Sequence, residues 1–193
     1  MGAMTVSAGL PFGRPLTVDD LESLPDDGHR YELLDGTLLV TPGPAWEHQE
    51  VGLSLTIALR MARPPEFTVL PAPFAVTFGL ADTELQPDVF VARYSDMRKK
   101  NLPAAPVLAV EVLSPSTALV DRNLKKAAYE RFGVESYWVI DPELRTLDAF
   151  EMRDGVYLDV AHLGARDTHD FQRPFPVRIS MPQLWEELDR NPY

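Results

Sequence analysis

Residues 107–140 place two apolar runs, the first broken only by Glu111, on either side of one helix-length segment, and this arrangement constrains the fold more than any other part of the chain. Residues 107–113 and Tyr137-Trp138-Val139-Ile140 are short, rich in branched and aromatic side chains and bounded by turn formers. Strands buried on both faces have that character. Residues 118–132 between them read as a helix that stops at Gly133, a residue suited to the left-handed position past a helix end. Strand, helix and strand in that order imply a right-handed crossover between parallel neighbours. The expected class is therefore α/β, with helices covering a sheet.

Hairpin signals flank this unit. Asp35-Gly36 sits between the strand-like residues 31–34 and 37–40, and Asp154-Gly155 between 146–152 and 156–163. A short helix is expected over 17–24 behind Thr17. A longer one over 46–61 gathers Val51, Leu55, Ala58, Leu59 and Ala62 on one face. Short strands are expected at 67–70, 74–78 and 88–91. The last helix starts at the capping box Ser180-Met181-Pro182-Gln183. The whole reads as a mixed β-sheet flanked by helices, with β-hairpins on its N- and C-terminal sides. Residues 1–16 are expected to be an N-terminal tail, with 1–3 a cloning remnant before Met4, and 17–193 one domain of ordinary size.

Composition closes several routes. The chain of 193 residues has no cysteine, which removes disulfides, thiolate zinc sites and cysteine nucleophiles. No run of about 18 apolar residues predicts a membrane span, and no secretory signal is visible, so a cytoplasmic location is expected. The net charge of −11 opposes general affinity for polyanions. Between Arg93 and Arg131, however, eight basic residues stand against four acidic ones. That zone suits a nucleic acid held at one place, and equally a solvated basic helix.

Asp88, Glu111 and Lys125 are the residues that point to chemistry. Both carboxylates lie on apolar strands, where an unpartnered charge is costly, so each needs a hydrogen bond, an ion pair or a metal. On neighbouring strands they would converge, and paired oxygens suit a hard cation such as Mg²⁺. Lys125, on the helix after the Glu111 strand, would stabilise charge at a phosphate or orient a water. The plainer alternative is an Asp at a strand end and a Glu paired to a lysine, without metal. His48 reads as a structural residue of its helix, Ser114 and Ser116 as capping residues, Tyr137 and Trp138 as core, and Trp185 as core or subunit contact. No GxGxxG, P-loop, nucleophile elbow or metal-type His pair occurs.

Pro87-Asp88 followed by Val110-Glu111-Val112 resembles the core of the PD-(D/E)XK nuclease superfamily. Further segments resemble a bacterial family of restriction-endonuclease-like proteins, long described only as a domain of unknown function. They are Tyr31-Glu32-Leu33-Leu34-Asp35-Gly36, His48-Gln49, Gln86-Pro87-Asp88, residues 111–117, Asp121-x-x-x-Lys125-x-x-x-Tyr129 and residues 133–142. The resemblance implies a restriction-endonuclease-like fold and an endonuclease that hydrolyses phosphodiesters, of DNA ahead of RNA, by metal-activated water. It implies Asp88, Glu111 and the backbone carbonyl of Val112 as ligands to Mg²⁺ or Mn²⁺. The superfamily lysine should stand two residues after the glutamate, where this chain has Leu113; Lys125 is expected to replace it. Lys126 is rotated about 100° away and should face solvent. Glu32 is expected to be an additional acid at the site, the alternatives being a pair with Arg30 or a solvent-facing residue. Asp121 is expected to cap its helix or to bond Lys125. A homodimer is expected by analogy with nucleases that cut both strands of a duplex. The competing reading is an inactive nuclease-like scaffold that binds nucleic acid or protein. A hydrolase using the two carboxylates on a sugar would leave Lys125 without a role.

Overall fold

The structure, a computed structural model, describes residues 13–115 and 117–190. Ser116 and residues 1–12, to which capping and tail roles were assigned, lie outside the described residues. From the N-terminus run α1 (Val18–Leu21), β1 (Arg30–Leu34), β2 (Thr37–Thr41), α2 (Trp46–Ala62), β3 (Phe67–Pro71), β4 (Ala75–Val76), β5 (Val89–Arg93), β6 (Asn101–Leu102) and β7 (Leu108–Val112). A π-helical stretch (Val120–Lys125) then continues as α3 (Lys126–Arg131). After it come β8 (Ser136–Asp141), β9 (Thr146–Arg153), β10 (Val156–Leu163), β11 (Thr168–Phe171), β12 (Val177–Ser180) and α4 (Met181–Arg190).

The main sheet has six strands in the order β10-β9-β8-β7-β5-β3, and β7 and β8 are its one parallel pair. This is the mixed sheet expected from the strand–helix–strand unit. Its two faces are covered separately because side chains along a strand alternate. Val110 and Val112 join Val51, Leu55 and Leu59 of α2 and Trp185 of α4 on one face. Ala109 and Leu113 join Tyr129, Val134 and Tyr137 on the other. By the same alternation Glu111 belongs to the second face, where the hairpin β1–β2 also packs through Leu34. Each fully buried leucine or valine contributes roughly 1.5–3 kcal/mol relative to exposure, so this alternation fixes the register firmly.

The pairing of β5 with β7 carries the site. Val89 stands opposite Val110 in an antiparallel ladder, and continuing that register by one residue puts Asp88 across from Glu111 on the same face. Two sequence-distant carboxylates are thereby made neighbours by backbone hydrogen bonding alone.

Three expectations are corrected. Ala62 is exposed, so the buried face of α2 ends at Leu59. The segment expected as a regular helix over 118–132 opens into a π-helix at 120–125. There the Asp121 carbonyl accepts both the Lys126 amide and the Tyr137 hydroxyl, the latter at 2.9 Å, which widens the turn. The hairpin β11–β12 was not foreseen, because its short strands send only Phe171, Val177 and Ile179 to the core, with Phe175 joining from the loop between them.

At the first hairpin Asp35 and Gly36 have φ of 50° and 74°, the left-handed pair that a two-residue turn between strands requires. A Cβ on Gly36 would lie 2.5 Å from the Cβ of Pro15. Gly36→Ala is therefore expected to cost at least about 1–2 kcal/mol from backbone conformation alone. Urea denaturation should show a lowered midpoint with an unchanged slope; an unchanged midpoint would refute the close approach.

Candidate active site

Lys125 is the centre of the site. Its ammonium is buried, 3.0 Å from Glu32 Oε2, 3.2 Å from Glu111 Oε1 and 3.6 Å from Asp121 Oδ1. The π-helical turn presents Asp121 and Lys125 to the interior together. Lys126 instead lays its Nζ over the Phe150 ring, 3.4 Å from the centroid, so of the two lysines Lys125 is the one inside. Tyr129, one turn further on, donates its hydroxyl to Glu111 Oε1 at 2.8 Å. The spacing 121, 125, 129 is thus a single inward-facing stripe.

Asp88 lies beside this group. Its Oδ1 accepts from Arg30 Nη1 at 2.6 Å, and its Oδ2 accepts from the Val112 amide at 2.8 Å and from His48 Nε2 at 3.1 Å. A carboxylate acceptor requires that Nε2 carry the hydrogen, which fixes the tautomer of His48. Glu32 is fully buried, its Oε1 accepting from the Gln86 amide at 2.7 Å. It is also 3.6 Å from Arg30 Nε. Glu32 therefore faces the cluster and not solvent, and its proximity to Arg30 is part of the same network.

Charge does not balance here. Written fully ionised, Glu32, Asp88, Glu111 and Asp121 outnumber the permanent cations Arg30 and Lys125 by two in a buried volume, an excess that proton uptake by Glu111 relieves in the metal-free protein. Burial pushes the Glu111 carboxyl well above its ordinary range; Lys125 opposes this, while Asp88, Asp121 and Glu32 add to it. Burial likewise raises Asp121 against the pull of Lys125. For Asp88 burial acts upward but is outweighed by the His48 hydrogen bond, Arg30 and Lys125, which hold it well below the usual carboxylate range. Burial disfavours the Lys125 ammonium, yet Glu111, Glu32 and Asp121 more than offset that, so it stays charged. Glu111 Oε2 is buried with no hydrogen-bond partner among the described residues.

Donor chemistry and charge both fit a divalent cation. Asp88 and Glu111 supply hard oxygens, Glu111 Oε2 is unclaimed, and the surplus charge equals that of one dication. Among the described residues no three carboxylate or imidazole groups converge as a ready-made metal site. A cation would thus take two protein carboxylates and complete its shell with water and substrate, the habit of Mg²⁺.

The basic zone does not survive as one surface. Lys125 is interior, Arg122 is paired with Asp141 and Asp148, and Arg131 with Asp35. Arg93, Arg98, Lys99 and Lys100 alone form an exposed group. Tyr137 and Trp138 are core, as is Trp185. Two contributors were named from sequence without a role at the site. Tyr129 was visible in its four-residue spacing from Lys125, and Arg30 in its two-residue spacing from Glu32 on one strand face. His48 was read as structural, and the structure brings it to Asp88.

A mixed sheet with two converging acids on neighbouring strands and a lysine from the crossover helix defines the restriction-endonuclease-like class. The chain belongs to the family described as putative restriction endonuclease (Uma2), whose sequence profile matches residues 18–183. Its fold is similar to the crystal structure of a putative nuclease belonging to DUF820 from Anabaena variabilis ATCC 29413, at 20% identity, TM-score 0.70, over 90% of this chain and 99% of that one. A weaker likeness, at 14% identity and TM-score 0.37, is to the type IIG restriction endonuclease BpuSI, over 76% of this chain and 16% of that one. No curated protein matches. No helix of the described residues is long and apolar enough to cross a membrane.

Two opposite stability effects follow. Lys125→Met leaves several buried carboxylates without their cation and is expected to cost about 3–5 kcal/mol, so loss of activity in any Lys125 truncation must be read beside its melting curve. Glu111→Gln is expected to stabilise the metal-free protein at neutral pH. The folded pKa of Glu111 lies above its unfolded value of about 4.3. Its contribution is therefore complete below that pH and is lost as pH rises through the folded pKa. Thermal melts should rise by about 3 °C for each kcal/mol of relief, with the gain growing from acid to neutral pH. A variant that melts lower at neutral pH would contradict the surplus of charge.

Proposed function

We propose that the protein is a divalent-metal-dependent endonuclease that hydrolyses phosphodiester bonds of DNA, with Mg²⁺ or Mn²⁺ as cofactor. The observation that carries this reading is the pairing of Asp88 with Glu111 on neighbouring strands, Glu111 Oε2 unclaimed, in a cluster whose fully ionised acids exceed its cations by two. A stable fold does not need that surplus, and a dication would cancel it. Asp88 and Glu111 would hold the metal. The Val112 carbonyl would join them, since amide and carbonyl of one extended residue point to the same side and the Val112 amide faces Asp88. A bound dication lowers the pKa of water and neutralises phosphate charge.

The remaining residues position and compensate. Lys125 holds Glu111 in place and brings positive charge to the side where charge develops on the phosphate. Tyr129 holds Glu111 Oε1 from the opposite direction, and Glu32 keeps Lys125 ionised. His48 fixes one oxygen of Asp88. Arg30 occupies the other, and would turn from Asp88 toward substrate when that oxygen is needed for a ligand. The competing reading, an inactive scaffold that binds nucleic acid, is favoured by one observation: both oxygens of Asp88 already have protein partners.

Incubation of labelled single-stranded and duplex DNA with the full chain, with Mg²⁺, with Mn²⁺ and with chelator, distinguishes the two. Metal-dependent cleavage is expected, reduced about 100-fold or more in Asp88→Asn, a loss of roughly 3 kcal/mol of transition-state stabilisation. DNA binding without metal-dependent cleavage by the wild type would support the scaffold. Full activity in Asp88→Asn would remove Asp88 from the mechanism.

A further inference from the structure

The cleft that opens beside Asp88 has a volume of about 930 Å³, within the range of sites that enclose a small ligand. Its wall is built from unusual material for a surface that meets DNA. Pro25, Pro42, Pro44, Pro71, Pro73 and Pro115 line it, and a proline has no amide hydrogen to offer a phosphate. Among the described residues lining it Arg30 is the sole arginine or lysine, and its guanidinium is already bonded to Asp88. Asp26, Glu50 and Glu84 line it as well. The exposed cations Arg93, Arg98, Lys99 and Lys100 are not among its lining residues.

Duplex DNA carries a negative charge every 1.7 Å or so, and proteins that grip it commonly neutralise about 6–10 phosphates. This wall has no comparable row of cations. What it does offer is apolar area at Leu53, half exposed on α2, and the ring of Tyr31, whose hydroxyl is tied to Asp27 at 2.9 Å. Bases of an unpaired strand can use such surfaces, because every base has a face that stacks. A duplex keeps its bases inside and cannot.

We propose that the cleft takes an unpaired nucleic-acid strand, one nucleotide at a time, and not a duplex. This rests on the nuclease reading for the identity of the ligand, and it names the form in which the ligand is recognised. The scissile phosphodiester reaches Asp88 with its neighbouring base against the Tyr31 and Leu53 side of the wall. Little of the affinity then comes from the phosphate backbone.

Fluorescence anisotropy on the full chain, in Mg²⁺, with a short labelled DNA strand, the same strand as RNA and the corresponding duplex tests this. Either unpaired strand is expected to bind at least about ten-fold tighter than the duplex; whichever of the two binds better identifies the sugar. Affinity should fall by less than about ten-fold between roughly 50 and 200 mM salt, where proteins with 6–10 phosphate contacts lose about 10³–10⁵. Tyr31→Ala should weaken strand binding about ten-fold, and Leu53→Glu, at an exposed position, should do the same if Tyr31→Ala fails to fold. Equal or tighter duplex binding, a steep salt slope, no binding of any strand, or indifference to both substitutions overturns the inference. Cleavage gels on the same oligonucleotides separate the two readings. Preferred strand binding with no hydrolysis defeats the nuclease reading alone, and hydrolysis fastest on duplex defeats the cleft inference alone.

Discussion

A single buried ammonium holds the two halves of this site together. Lys125 comes from the helical crossover between β7 and β8, Glu111 from β7 itself, and Glu32 from a hairpin outside the main sheet. Only the lysine touches all of them. Removing two charges of opposite sign from water costs several kcal/mol per ion, and a pair of moderate geometry does not repay it. Three acids around one cation repay it less well still, so the cluster adds little stability. It specifies instead where the hairpin sits against the sheet, because any other placement of β1 would bury Glu32 without Lys125, leaving only Arg30 of its own strand beside it.

That arrangement explains why the site could be read from sequence only in part. The β5–β7 and β7–β8 pairings follow from apolar runs, and the alternation along β7 assigns Glu111 to a face. The spacing of Asp121, Lys125 and Tyr129 already marks one helix stripe. What a linear sequence does not carry is the side-by-side placement of segments far apart in the chain. Arg30 meets Asp88 across 58 residues and His48 meets it across 40. Both contacts depend on how the hairpin and α2 pack. His48 sits among Glu47, Gln49 and Glu50 at the polar start of a helix, and nothing local distinguishes it from a solvent-facing residue. The π-helical turn was hidden for a related reason. Its cause is the Tyr137 hydroxyl reaching the Asp121 carbonyl from another strand, so no propensity within 118–132 encodes it. The hairpin β11–β12 was hidden by polarity, with three apolar residues serving the core from two short strands.

The basic zone was left between two readings because sequence shows charge but not pairing. Eight cations over 93–131 look like a patch; folded, one is interior and two are neutralised by acids from distant strands. The net charge of −11 is then the better guide to the surface as a whole. It agrees with a cleft wall of prolines and acids, where the positive charge needed by a phosphate is concentrated at Arg30, at Lys125 and in any bound dication.

Concentrating the positive charge in this way has a consequence for assembly. The expectation of a homodimer rested on duplex cleavage, where two strands of opposite polarity demand two active centres. An enzyme that draws one unpaired strand into a proline-walled cleft would need a single centre, so on this reading duplex cleavage no longer supplies a reason for a dimer. The same economy would account for a cleft lined, among the described residues, by Arg30 as its sole arginine or lysine: a flexible strand can be bent to the carboxylates, so the protein need not hold many phosphates in register. Specificity on this view lies in which bases the wall beside Tyr31 and Leu53 accepts. The charge cluster beneath would then supply the chemistry without reading the sequence that is cut.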